Sequence, residues 1–329
     1  MRRFSMKKEI INHILKNYPY PISLNFKIVQ AIDEQEEPIK KLEKILYSGE
    51  ALARFLGAIA ALEIQKLKDN LALELPEKVF PDGFKRAITR PSFGKWIYLS
   101  REGFKFLRNS DYQVVSREVL DFYEDKETEE AMNQLVKMRN KFGHHIDKAG
   151  LTTSKYKKLG KVALNYLEQL YASLAELSTT SLGYIKTIEL KKNKREDPSY
   201  IYKGKKLDGT DFIKESLDRF DVEYDNYKET NNVILKFDKE NQYLNLFPFY
   251  IYEESGVKTP DIFYFNGINK GKHLYHGCDE GGELEIRQRE EKQEEDMDWE
   301  AMLEAENEFD NNEDIAKMNQ VHRLIKKEF

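Results

Sequence analysis

Hydrophobic positions recur with a helical period from about residue 4 to residue 178. Ile10, Ile11, Ile14 and Leu15 give a short amphipathic segment, and a linker containing Pro19 and Pro21 follows it. Pro38 then opens a long helix reaching about Asn70, with Leu42, Ile45, Leu46, Leu52, Phe55, Leu56, Ile59, Leu62 and Leu67 on one broad stripe. Ala51, Ala53, Gly57, Ala58, Ala60 and Ala61 would let another helix come close. Ser92 precedes FGKWIYLSREGFKFL, a second core helix, and a short helical piece is expected around Val114 to Tyr123. Asp125 looks like the cap of a helix over 126–142, with Met132, Leu135, Val136, Arg139 and Phe142 on one side and Gly143 as its stop. A last helix over 154–177 completes a bundle, with Lys155, Lys157, Lys158 and Lys161 on its surface.

Beyond Ser178 the period changes. YIKTIEL, SYIYKGKKL, NVILKFD, YLNLFPFYIYEE, DIFYFNGI and KHLYHG are short β-branched and aromatic runs, separated by Gly, Asn and Asp. They predict a small, mainly antiparallel β domain. Lys203-Gly204-Lys205 and Phe265-Asn266-Gly267-Ile268 read as its turns, and Pro248 places its strand at a bulge or an edge. From Glu290 to Asp314 thirteen acidic residues stand against one lysine, and a basic amphipathic stretch ends the chain. The pattern therefore predicts an α+β protein: a helical domain over 1–180, a β-rich accessory or sensor domain over 181–286, and an acidic tail with a terminal amphipathic helix over 287–329.

Composition narrows the class. With 329 residues, 40% hydrophobic and 34% charged, and a mean hydropathy of -0.70, the chain can bury real cores and favours water. Its most apolar stretch, Ala51 to Ile64, is interrupted by Arg54 and Glu63 and is too short to span a bilayer. Nothing at the start reads as a secretion leader. Cys278 is the single cysteine, so no disulfide or thiolate cluster forms within the chain, in keeping with a reducing cytoplasm.

The candidate chemistry lies in LVKMRNKFGHH, residues 135–145. Arg139 falls on the apolar side of its helix, where a permanent charge needs a purpose. His144 follows Gly143 just past the helix end, where the backbone is free to turn. The string RNKFGH resembles the ribonuclease signature of the HEPN superfamily: Arg, commonly Asn, a few residues, then His, on the penultimate core helix of a small bundle. The resemblance covers roughly residues 37–178. It implies a metal-independent endoribonuclease without cofactor, working as a homodimer or higher oligomer in which two motifs face one cleft.

In that setting the 2'-hydroxyl of RNA is the nucleophile, so the enzyme moves protons and stabilises a phosphorane. His144 would act as base or acid, with His145 as the alternative. Arg139 would hold the non-bridging oxygens, and Asn140 would orient either group or contact the ribose. Lys141, Lys191, Lys192, Lys194 and Arg195 are candidate RNA contacts, with Tyr184, Tyr200 and Tyr202 near for stacking.

The resemblance further implies a toxin or antiviral-defence effector whose β domain senses a trigger or binds a regulatory protein. Plainer roles stand beside these. Arg139 would pair with a buried carboxylate such as Glu63, His144 would stabilise a helix C-terminus, and the bundle would serve as a dimerisation module. The cluster His273, His276 and Cys278 is no metal site on this reading, because strand alternation sends the two histidines to opposite faces. The acidic segment is expected to cover a basic RNA channel, or simply to be solvated.

Overall fold

The computed structural model describes residues 8–71, 89–109, 117–142, 150–191, 199–210, 222–224, 232–237, 242–254, 261–270, 272–279 and 282–287. Helices fill the first part and antiparallel strands the second, the α+β arrangement expected. The helices are α1 (Lys8–Asn17), α2 (Tyr20–Ala31), α3 (Pro38–Leu71), α4 (Phe93–Arg108), α5 (Arg117–Leu120), α6 (Lys126–Phe142) and α7 (Thr153–Ser173).

Helix α2 replaces the expected linker. Pro21 sits in its first turn, where a missing N–H removes no helical bond. Every residue from Tyr20 to Phe26 is buried, so the segment has no polar face to give it a helical period. Its C-terminal end is closed by Lys41, whose ammonium donates to the carbonyls of Val29 and, at 3.0 Å, Ile32.

Helix α3 is the hub, packed against α2, α4, α6 and α7. Among the described residues it is the one helix long and apolar enough to cross a membrane, and 89% of its most apolar window is buried within the protein. The small residues do what their pattern suggests. A Cβ on Gly57 would come within 2.8 Å of the Trp96 ring, and one on Gly103 within 2.8 Å of Ala60, so α3 and α4 approach almost backbone to backbone. Ser92 caps α4 by accepting from the Lys95 amide at 3.4 Å.

The strands form two sheets. The first is ordered β3 (Val222–Tyr224), β2 (Ser199–Lys206), β1 (Thr180–Lys191), β4 (Val233–Phe237), β5 (Gln242–Asn245). The second is β6 (Tyr250–Glu253), β7 (Asp261–Asn269), β8 (Lys272–Gly277), β9 (Glu283–Arg287). Both expected turns lie inside strands. Gly204 sits in β2 beside a bulge of β1, where a Cβ would lie 1.7 Å from the Tyr184 carbonyl oxygen. Gly267, at φ +120°, occupies a bulge of β7, and the reversal into β8 comes later, at Lys270 with φ 50°. Pro248 is in no strand; it breaks the run YLNLFPFYIYEE into β5 and β6, which belong to different sheets.

Helices and sheets share one hydrophobic core. Phe55 meets Tyr250 edge-on at 5.6 Å, Trp96 meets Phe249 at 5.8 Å, and Lys66 donates to the Tyr243 carbonyl at 3.3 Å.

Inside this core Glu63 of α3 is fully buried, and neither carboxylate oxygen has a hydrogen-bond partner among the described residues. Burial raises its pKa to about 8 from an ordinary 4.5, with Lys66 opposing the shift. Between those values the folded chain keeps a proton that the unfolded chain has released, so stability falls as pH rises. The loss should reach up to about 1.4 kcal/mol per pH unit. Urea unfolding of Glu63→Gln at pH 5 and pH 8 should show a smaller fall than the wild type; an identical fall in both would contradict a buried, protonated Glu63.

Candidate functional site

Helix α6 begins at a well-made cap. Asp125 accepts from the Thr128 amide at 3.1 Å and from its hydroxyl at 2.6 Å, which fixes the helical phase. Thr128, Ala131, Met132, Leu135 and Phe142 are then buried, and Arg139 falls on one edge of that stripe with its side chain 18% exposed. Leu135 seats against α3 at Gly49, where a Cβ would come within 3.0 Å of its methyl group. This close approach brings Glu50, the next residue of α3, opposite Arg139.

Glu50 bridges two guanidinium groups. Its Oε2 lies 3.4 Å from Arg139 Nε, and its Oε1 lies 3.6 Å from Arg54 Nη2, one turn along α3. Arg54 is buried, with its guanidinium 3.9 Å from the centroid of the Tyr264 ring on β7. The Tyr264 hydroxyl is hydrogen-bonded to that of Tyr47 on α3. A continuous polar path thus runs from the second sheet through the core helix to Arg139. The carboxylate partner is Glu50 and not Glu63, which lies about 20 Å farther along the same helix.

Sequence reasoning alone does not single out Glu50, Arg54 or Tyr264. The signal for two of them is present: opposite charges one turn apart at the edge of an otherwise apolar run. Nothing marks Tyr264 among so many strand aromatics.

Asn140 and Lys141 are exposed, with the Lys141 ammonium 5.9 Å from the Phe142 ring centroid. His144, His145, Lys192, Lys194 and Arg195 lie outside the described residues, as does the side chain of Lys191, whose backbone closes β1. The acidic segment from Glu290 to Asp314 is outside them as well. Comparison with protein-family models, curated proteins and solved structures finds no match for this chain. Its chemistry has to be read from its own residues.

In the sheets, His273 and His276 alternate as expected. His273 is buried edge-on to Phe265 at 5.6 Å, and burial lowers its pKa, whereas His276 pairs through Nε2 with Asn266 at 3.0 Å. Among the described residues no group of three His, Cys, Asp or Glu is placed to share a metal ion. Lys203 and Lys205 are taken by Glu189 and Glu254. Tyr184 meets the Tyr252 ring at 4.7 Å with the planes tilted by 48°, a contact that ties the two sheets together. Phe249, Tyr250, Tyr252, Phe263, Tyr264 and Phe265 are core; Phe247 is the exposed exception, at 50%.

The site can supply a guanidinium oriented by a carboxylate at the end of a core helix. A guanidinium held in this way is a planar, permanently charged donor of the kind that binds an oxyanion. The same bond also neutralises the charge, as a purely structural arginine would require.

Proposed function

We propose that this chain is a metal-independent endoribonuclease of the HEPN type, a cytoplasmic effector of toxin or antiviral-defence kind. The observation that carries the reading is the pose of Arg139. A partly buried arginine is held by Glu50 in the last turn of α6, shortly before Gly143 and His144 in the sequence. Arg139 would stabilise the charge developing on the phosphorane while His144 moves the proton of the attacking 2'-hydroxyl. Asn140, exposed on the adjacent flank, would contact the ribose. Purified protein incubated with RNA in the presence of a chelator tests this: strand scission that leaves 2',3'-cyclic phosphate ends is expected, and intact RNA would refute it.

One chain offers few proton-transfer groups, so the reading includes a homodimer or higher oligomer that brings two motifs together. Light scattering should give a solution mass above one chain. A strictly monomeric protein that cleaves RNA at full specific activity would overturn the two-motif arrangement.

A second reading has its own observation. The Glu50–Arg139 pair is what a non-catalytic bundle would use to lock α6 onto α3, and such a bundle would regulate a protein partner. Absence of RNA scission together with an unaltered oligomer in Arg139→Ala would favour it.

A further inference from the structure

From Ala131 to Phe142 and from Gly150 to Leu167 the chain carries no aspartate or glutamate. These stretches form the end of α6 and most of α7, and the two helices pack antiparallel, with Gln169 Nε2 3.5 Å from Glu127 Oε2. From Glu127 to Lys141, and from Gln169 to Lys155, the chain advances by the same number of residues. At about 1.5 Å per residue the two lysines therefore come level. That advance is just under four turns, so both side chains return to the flank on which the helices meet.

Lys137 lies one turn before Lys141, and Lys158 one turn after Lys155; all four are exposed. None has a carboxylate partner among the described residues, in contrast to Lys161 on the far flank of α7, which faces Glu34 at 3.7 Å. Lys157, also on that far flank, donates to Gln35 at 2.7 Å.

We propose that this seam binds the backbone of single-stranded RNA, with Lys137, Lys141, Lys155 and Lys158 each meeting a phosphate. Four positive charges in two rows, with no acid among them, suit a polyanion rather than a folded acidic protein face, because each row repeats along its helix at about 5.4 Å. Arg139 turns to the opposite flank, toward Glu50, so a bound strand passes the C-terminal end of α6 to reach it. The choice of RNA among polyanions rests on the ribonuclease reading. Of the RNA contacts suggested by the sequence, Lys141 belongs to this seam.

The test is fluorescence anisotropy of the full chain with a short single-stranded RNA carrying 2'-O-methyl riboses, which binds without offering a nucleophile. Four phosphate contacts predict a salt slope of about -3, or about 50-fold weaker binding between 50 and 200 mM salt. Lys155→Ala/Lys158→Ala should halve that slope and leave about a 7-fold change over the same range. Lys272→Ala, which removes a lysine already paired with Glu285, should bind like the wild type. An unchanged slope in the double variant, or an equal loss in Lys272→Ala, overturns the proposal. The two readings fail separately. Seam-dependent binding without cleavage of ordinary RNA would refute the ribonuclease, and cleavage with seam-independent binding would refute the seam.

Discussion

His144→Ala should lower RNA cleavage by about a hundredfold or more, the usual contribution of a positioned proton-transfer group. Arg139→Ala should cost about as much, because stabilisation of developing charge by a fixed donor is typically worth roughly 100- to 1,000-fold. The arginine variant needs one control that the histidine variant does not. Leu135 is fully buried and Arg139 shares its helix edge with the bond to Glu50, so folding must be confirmed by circular dichroism before lost activity is read as chemistry. His145→Ala should change the rate little. A substrate with a single 2'-deoxy substitution at the cut site should be bound and left whole by the wild type, since the attacking hydroxyl is missing. Cleavage of that substrate, or a requirement for added magnesium, would show that the chemistry assigned to Arg139 and His144 is wrong.

Much of the helical half is legible in the sequence because its elements are amphipathic, and burial leaves a period behind. The starts of α4 and α6 are readable at Ser92 and Asp125, whose side chains bond the first-turn amides. Helix α2 is not, since it is buried from Tyr20 to Phe26 and two prolines suggest a break. The glycines mislead for a related reason. Gly204 and Gly267 do mark backbone peculiarities, but bulges and turns draw on the same conformational freedom, and one sequence does not separate them. At the candidate site the odd position of Arg139 is visible in the helical period alone. Its partner is not, because the choice between Glu50 and Glu63 depends on where Gly49 lets Leu135 settle.

Arg54→Ala should destabilise the folded chain by about 3–5 kcal/mol, the range for removing one member of a buried ion pair. Against a typical total of about 5–15 kcal/mol this is a large fraction. Three losses combine. Glu50 keeps Arg139 but loses its second cation, the Tyr264 face is left against a void, and the core gives up the volume of a buried side chain. Arg54→Met restores bulk without charge and should recover part of the loss. The aromatic contact is isolated by a double-mutant cycle of Arg54→Met with Tyr264→Leu, read by urea unfolding. A desolvated cation over a ring predicts a coupling of about 2 kcal/mol, and strict additivity would mean that the stack contributes nothing. Because this contact joins α3 to β7, the Arg54 variant should also weaken the hold of the second sheet on the helices. Hydrogen exchange should then accelerate in β7 and β8 more than in α4, whose close approach to α3 is made at Gly57 and Gly103.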